Sequence, residues 1–267
     1  MMRIVLGIEY DGSGFYGWQW QTHHRNIQQT LEEALSKIAQ HKITVQCAGR
    51  TDTGVHALEQ IVHFDTTALR DLQAWHRGTN THLPPDVRVI WAQEAIGDFH
   101  ARYRAIARYY RYAILNRATP SALMRGRSTW CALPLDAQKM HEAAQSLLGQ
   151  HDFTSFRAQG CQSKSPCRRM YFIDVERIGE QVIIDLSANA FLHHMVRNIA
   201  GVLMAIGTGK QPVTWTQELL EVKNRRLGGV TAPPDGLHLA GVYYPKQYGL
   251  IKNPVFNKLP KDAQRFD

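Results

Sequence analysis

The ten residues Ala48–Ala57, AGRTDTGVHA, set an acid, Asp52, two positions after an arginine, Arg50, on a stretch suited to a tight turn. An ionised carboxylate there can serve as a nucleophile, as a base, or as an electrostatic stabiliser of a cationic transition state. If the chain stays extended through Gly49–Asp52, the two side chains point the same way. The guanidinium then lies against the carboxylate, lowers its pKa and keeps it ionised. The same residues also fit ordinary turn chemistry with a structural ion pair.

The acid needs a frame, and the preceding residues supply one. Ile43-Thr44-Val45-Gln46-Cys47-Ala48 alternates apolar and polar side chains as a half-buried strand does, and Gly49 and Gly54 bracket the turn. Residues 3–10 read as a strand. Residues 27–40 read as a helix, because Ile27, Leu31, Leu35 and Ile38 recur at helical spacing. Strands at 60–65 and 87–95 flank a short helix over about 70–77, giving the order β-α-β-β-α-β. The second half repeats that order, with a strand at 107–115, a helix at 136–148, strands at 170–178 and 182–189, and a helix at 191–206. A further helix at 215–223 precedes a last strand at 237–244. The expected fold is α+β, two ferredoxin-like halves whose mainly antiparallel sheets meet at a central cleft. The domains are expected at 1–103, carrying Asp52, and 104–245, with a tail at 246–267 that contains Pro254 and Pro260.

Charge says what the frame faces. In 267 residues, 31 Lys and Arg oppose 23 Asp and Glu, a formal net charge of +8 that points to a polyanionic partner such as nucleic acid. Between Asp98 and Asp136 there is no acid, while Arg102, Arg104, Arg108, Arg111, Arg117, Arg125 and Arg127 all fall there. Tyr103, Tyr109, Tyr110 and Tyr112 are interleaved with the first of these. Aromatic faces beside guanidinium groups suit unpaired bases next to phosphates, whereas duplex DNA readout would call for a basic recognition helix. A second acid-free window, Phe153–Ile173, carries Arg157, Lys164, Arg168 and Arg169 around the loop-like GCQSKSP.

In FLHHMVRNIAGVLMAIG, Arg197 is the one full charge on a helix apolar enough to be buried. It requires either a core carboxylate or a place beside Asp52 or a bound phosphate. No window has the roughly 18 apolar residues of a membrane span. The first residues run straight into a strand pattern without a leader, and Cys47, Cys131, Cys161 and Cys167 form no CxxC pair. A cytoplasmic protein with free thiols is expected. His193 and His194 are adjacent and HExxH is absent, so no catalytic metal is expected. The glycine-rich YDGSGFYGW lacks the Gly-Lys-Ser/Thr ending of a phosphate loop and reads as flexible backbone near the cleft.

GRTDTGVHA, with YDGSGFYGWQ (Tyr10–Gln19), FHARY (Phe99–Tyr103), YRY (Tyr110–Tyr112) and MVRNI (Met195–Ile199) in this order, resembles the TruA family of tRNA pseudouridine synthases across nearly the whole chain. The resemblance implies isomerisation of uridine to pseudouridine at positions 38, 39 and 40 of the tRNA anticodon stem-loop. It implies no cofactor, no catalytic metal, and a homodimer that shares the tRNA. Matched residue by residue, Asp52 is the essential aspartate and Arg50 the arginine of its motif. Tyr110 is the tyrosine at the target base, and Arg197 the active-site arginine that pairs with the aspartate. Phe99, His100, Ala101, Arg102 and Tyr103, and more loosely Gly160, Cys161, Gln162, Ser163 and Lys164, fall where the family contacts RNA. The reaction breaks the bond from ribose C1′ to uracil N1, rotates the base, joins C5 to C1′ and removes the C5 proton. Asp52 can attack C1′, attack C6, or remove the C2′ proton toward a glycal.

Two other classes use parts of the same pattern. Asp52-Thr53-Gly54 is the Asp-Thr-Gly string of aspartic proteases, but the chain has one copy, and Arg50 opposes the shared-proton state. A non-catalytic RNA-binding protein would explain the basic and aromatic surface and leave the Asp52 motif unused.

Overall fold

The computed structural model describes residues 1–250, so all of the expected tail beyond Leu250 lies outside the described residues. The chain divides into two compact units. Among the described residues the first comprises Met1–Ile106 and 238–250, and the second Ala107–Leu237. The sequence places a boundary near 100–106, and the units part between Ile106 and Ala107. All four cysteines are free thiols. No helix among the described residues is long and apolar enough to cross a membrane.

The first unit is built on β1 (Met2–Tyr10), helix α1 (Ile27–Ala39), β2 (Gln46–Cys47), β3 (His56–Thr66) and β4 (Val87–Glu94). Helix α1 starts where the Asn26 side chain accepts from the Gln29 N–H at 2.9 Å. It buries Ile27, Leu31, Ala34 and Leu35 and ends at Gln40, whose φ is 57°. Strands β4, β1, β3 and β2 are antiparallel neighbours in that order, with Ile8 opposite Gln60 and Gln46 opposite His63. The expected strand over 43–48 is reduced to two residues. Ile43 and Val45 are buried as their alternation demands, but their N–H groups bond to α1 side chains, Ser36 Oγ at 2.9 Å and Glu32 Oε1 at 3.0 Å. The expected helix over 70–77 is present at 72–80, widened to a π-helix at Ala74–Gly78. The last strand, β10 (Leu237–Tyr243), returns to this unit and pairs parallel to β3, His238 opposite His56 and Leu239 opposite Ala57. Phe99, Trp91, Ile61 and Tyr248 form a core cluster beneath it.

The second unit contains β5 (Ala107–Asn116), β6 (Thr129–Cys131), α2 (Ala137–Ala144), β7 (Gly149–Asp152), β8 (Cys167–Ile178), β9 (Gln181–Ala188), α3 (Met195–Gly207) and α4 (Trp215–Val222). Strands β5, β9, β8 and β7 are antiparallel neighbours, and β6 lies parallel to β5. Asp136 caps α2 by accepting from the Lys139 N–H at 3.0 Å. Met140, Leu186, Met195, Leu203 and Ile206 are wholly or almost wholly buried, so α2 and α3 cover this sheet with apolar side chains. On the Tyr109 side of β5, Arg111 grips Asp185 of the facing β9 residue through two bonds of 2.8 Å.

Candidate active site

Asp52 is half-buried on the turn that joins β2 to β3. The loop after β1 holds that turn. The Tyr10 hydroxyl and the Thr51 hydroxyl are hydrogen-bonded at 2.8 Å in the interior. The Trp18 N–H donates to the Thr51 carbonyl at 2.9 Å, and the Gly54 N–H donates to the Phe15 carbonyl at 3.3 Å. The Val55 N–H closes the turn onto the Asp52 carbonyl at 3.1 Å. Gly17 has a φ of +81°, and a Cβ there would lie 2.7 Å from the Thr51 oxygen and 3.0 Å from the Asp52 carbonyl carbon. The loop can therefore press its backbone on the turn only because residue 17 has no side chain. Its far end is fixed by Arg25, which grips Asp86 at 2.8 and 2.9 Å and covers the Phe15 ring at 4.0 Å.

Arg50 behaves differently from the expectation. It is exposed and makes no ion pair among the described residues. The chain bends at Ala48–Gly49, and the neighbouring loop bonds to the backbone of Thr51 and Gly54 on either side of Asp52.

In FHARY, Phe99 and Ala101 have no exposed surface. Phe99 packs on Tyr244 and Tyr248 at centroid distances of 5.0 and 5.4 Å. The surface that the motif offers is His100, Arg102 and Tyr103, with Tyr103 74% exposed. The turn is folded on two histidines. His63 Nδ1 accepts from the Ala101 N–H at 3.1 Å, and His100 Nδ1 accepts from the N–H groups of Arg102 and Tyr103 at 3.1 and 3.3 Å. Acceptance at Nδ1 requires both rings to be neutral. Burial, with the nearby charges of His100 and Arg3, lowers the His63 pKa to about 4; burial and Arg3 lower that of His100 too.

Tyr110 and Arg197 belong to the second unit. Tyr110 is largely buried on β5, with its ring edge-on to Phe191 at 5.0 Å. Arg197 is half-buried on α3 and has no carboxylate partner in its own unit among the described residues, which removes the core ion pair as its explanation. A polypeptide strap aims it. Arg197 Nε donates to the Ala232 carbonyl at 2.7 Å, and the Ala232 N–H donates back to the Arg197 carbonyl at 3.1 Å. Arg225 secures the strap by donating to Asn198 Oδ1 at 2.9 Å, Thr231 Oγ1 at 3.0 Å and the Gly229 carbonyl at 2.9 Å. Sequence reasoning missed this network. Its one visible sign was an asparagine, Asn198, inside an apolar helix. The Gly160–Lys164 loop presents Gly160, Gln162 and Lys164 to solvent. Cys161 is tied inward, with its carbonyl accepting from Arg157 at 2.5 Å and its sulfur accepting from the His193 N–H at 3.4 Å. The His193 and His194 rings lie 3.9 Å apart, and no third metal-ligating group of their own unit converges on them among the described residues.

A family model described as tRNA pseudouridine synthase matches residues 7–104 and 143–245, the spans that contain both the Asp52 turn and Arg197. The chain belongs to the tRNA pseudouridine synthase family. This synthase is 59% identical over 265 residues to tRNA pseudouridine synthase A of Methylococcus capsulatus, covering 99% of the chain and 98% of its relative. It is 53% identical over 254 residues to the protein of that name from Haemophilus influenzae strain KW20, covering 95% and 94%. It is also 53% identical over 258 residues to that from Legionella pneumophila strain Corby, covering 96% and 98%. A solved H/ACA ribonucleoprotein with a substrate RNA containing 2′-deoxyuridine aligns over 76% of the chain and 44% of its own, at 12% identity and a TM-score of 0.34, a likeness too slight to build on. The synthase is an isomerase.

Proposed function

We propose that the synthase converts uridine to pseudouridine at positions 38, 39 and 40 of the tRNA anticodon stem-loop, with Asp52 as the nucleophile. The full-length likeness to proteins named tRNA pseudouridine synthase A carries the choice of tRNA. The observation that carries Asp52 is its turn, which is bonded to the Tyr10–Trp18 loop at both ends and leaves the residue half-buried. A nucleophile held on a fixed backbone enters reaction without first losing conformational freedom. Tyr110 takes the target base, and Arg197, steered by the Ala232 carbonyl, supplies positive charge to the reacting group or its phosphate. Arg50 acts from the surface, as a cation for the RNA backbone.

The base must leave the helical stack to react, and lost stacking of a few kcal/mol is offset by contacts elsewhere on the RNA. His100, Arg102 and Tyr103 are suited to this, as are Gln162 and Lys164 of the second loop. The reading includes a cytoplasmic homodimer that needs neither cofactor nor metal. It also takes both halves as ferredoxin-like, and the antiparallel order β4, β1, β3, β2 supports this for the first.

Site mapping of pseudouridine in tRNA incubated with wild-type, Asp52→Ala and Asp52→Asn protein tests the reading. The expected result is modification at 38–40 by the wild type, none by either variant, and tRNA binding retained in both. Near-normal conversion by Asp52→Asn overturns the nucleophile, and modification elsewhere overturns the positions.

A further inference from the structure

The loop that holds the Asp52 turn also turns two large aromatic side chains outward. Tyr16 is 52% and Trp20 49% exposed, although their neighbours Phe15 and Trp18 are buried to 1% and 2%. Tyr16 stacks on His24 with centroids 4.2 Å apart and planes 29° from parallel, so its exposed surface is the other face and the hydroxyl edge. The Tyr16 hydroxyl and the Trp20 indole N–H have no hydrogen-bond partner among the described residues. From Gly12 to Leu31 the chain carries no acid, and His23, His24 and Arg25 are exposed within it. Tyr16 directly precedes Gly17, the residue in backbone contact with Thr51 and Asp52, so it stands about 3.8 Å of chain from that contact.

We propose that Tyr16 and Trp20 form a stacking platform for unpaired bases that flank the reacting uridine. The proposal rests on the RNA reading above. Extruding one base removes a stacking partner from its neighbours, and an aromatic side chain beside the site replaces it. Stacking accepts any base, because every base has a π face. His24 behind Tyr16 extends the stack by one ring. The absence of acid over twenty residues keeps the platform free of repulsion toward phosphates.

The test uses the full chain, an unmodified tRNA transcript, the isolated anticodon stem-loop and a blunt duplex of the stem. Tyr16→Ala and Trp20→Ala are each expected to weaken stem-loop binding about tenfold and raise KM for tRNA to match, with kcat kept within about twofold. Tyr16→Phe and Trp20→Phe are expected to stay within about twofold of wild type. The slope of log affinity against log salt stays the same, because no phosphate contact is removed. Thermal unfolding reports that the exposed substitutions leave the fold intact. Wild-type stem-loop affinity in both alanine variants overturns the platform, as does an equal loss toward the duplex or a reduced salt slope. Binding is read separately from turnover, so a wild-type protein that makes no pseudouridine refutes the functional reading while the platform is judged on the stem-loop.

Discussion

Gly17→Ala tests whether the loop after β1 sets the position of Asp52. Two costs arise. At a φ of +81° any L side chain is strained, at about 1–2 kcal/mol. The new methyl would also sit 2.7 Å from the Thr51 oxygen and 3.0 Å from the Asp52 carbonyl carbon, both backbone atoms that cannot swing away. Relief requires the two segments to part by several tenths of an ångström, at about 1–3 kcal/mol more. At roughly 2–4 °C per kcal/mol, the unfolding temperature should fall by about 4–20 °C. Gly97→Ala is the internal control. Its φ is +61° and nothing lies within 4 Å of an added Cβ, so it pays only the first cost. Misplacement of a reacting group by about 1 Å can lower a rate about 100-fold, and the smaller shift here should lower kcat by about 10- to 100-fold with KM for tRNA nearly kept. Single-turnover release of tritium from C5-labelled uridine gives the rate, and calorimetry gives the stability. Gly17→Ala that is no less stable than Gly97→Ala, or that loses stability with wild-type kcat, refutes the coupling of this loop to the carboxylate.

Three further outcomes follow from the site. Tyr10→Phe leaves the buried Thr51 hydroxyl without its partner and should cost about 1–3 kcal/mol in urea unfolding, with a larger fall in kcat than in tRNA affinity. Gly201→Ala drives a methyl into the Val230 carbonyl and so displaces the strap that aims Arg197; kcat should fall while the salt slope of tRNA binding is kept. His63 is neutral in the fold down to about pH 4, whereas in the unfolded chain it titrates near 6.5. Between those values the unfolded state binds more protons, so stability should decrease as pH falls from about 6.5 to 4 and lose nothing further from this group below it. His63→Gln should flatten that part of a stability profile recorded against pH, with Asp65, Arg3 and His100 left in place as the charged and titratable neighbours.

Helices α1, α2, α3 and α4 were legible because their apolar residues recur at helical spacing and polar caps such as Asn26 and Asp136 mark their starts. Strand β3 was underread. It runs from His56 to Thr66, but His56, Glu59 and His63 interrupt its apolar pattern while being buried, each serving a specific bond such as Glu59 with the Trp91 indole at 3.0 Å. Residues 43–45 were overread for the opposite reason, since periodicity reports burial and does not say which partner takes the backbone N–H. Asp52 was singled out from its motif, and its place on a turn between two strands was legible from Gly49 and Gly54. A two-residue spacing gives Arg50 and Asp52 one direction only while the chain is extended, and the sequence does not show the bend at Ala48–Gly49 just before them. Phe99 and Ala101 fell in a motif expected to contact RNA, yet these two of its five side chains are core, a distinction that composition does not encode.

The return of β10 to the first unit has a consequence for how the protein is made. The strand that pairs with β3 at His56 and Ala57 is synthesised only after the whole of Ala107–Leu237 has left the ribosome. At about 5–20 residues per second, the sheet beside Asp52 waits about 7–26 s with that edge of β3 unpaired at its start. The second unit, a continuous stretch of chain, is free to fold in that interval. A nascent chain stalled before residue 238 would hold the sequence of the Asp52 turn entire and the sheet beside it unfinished.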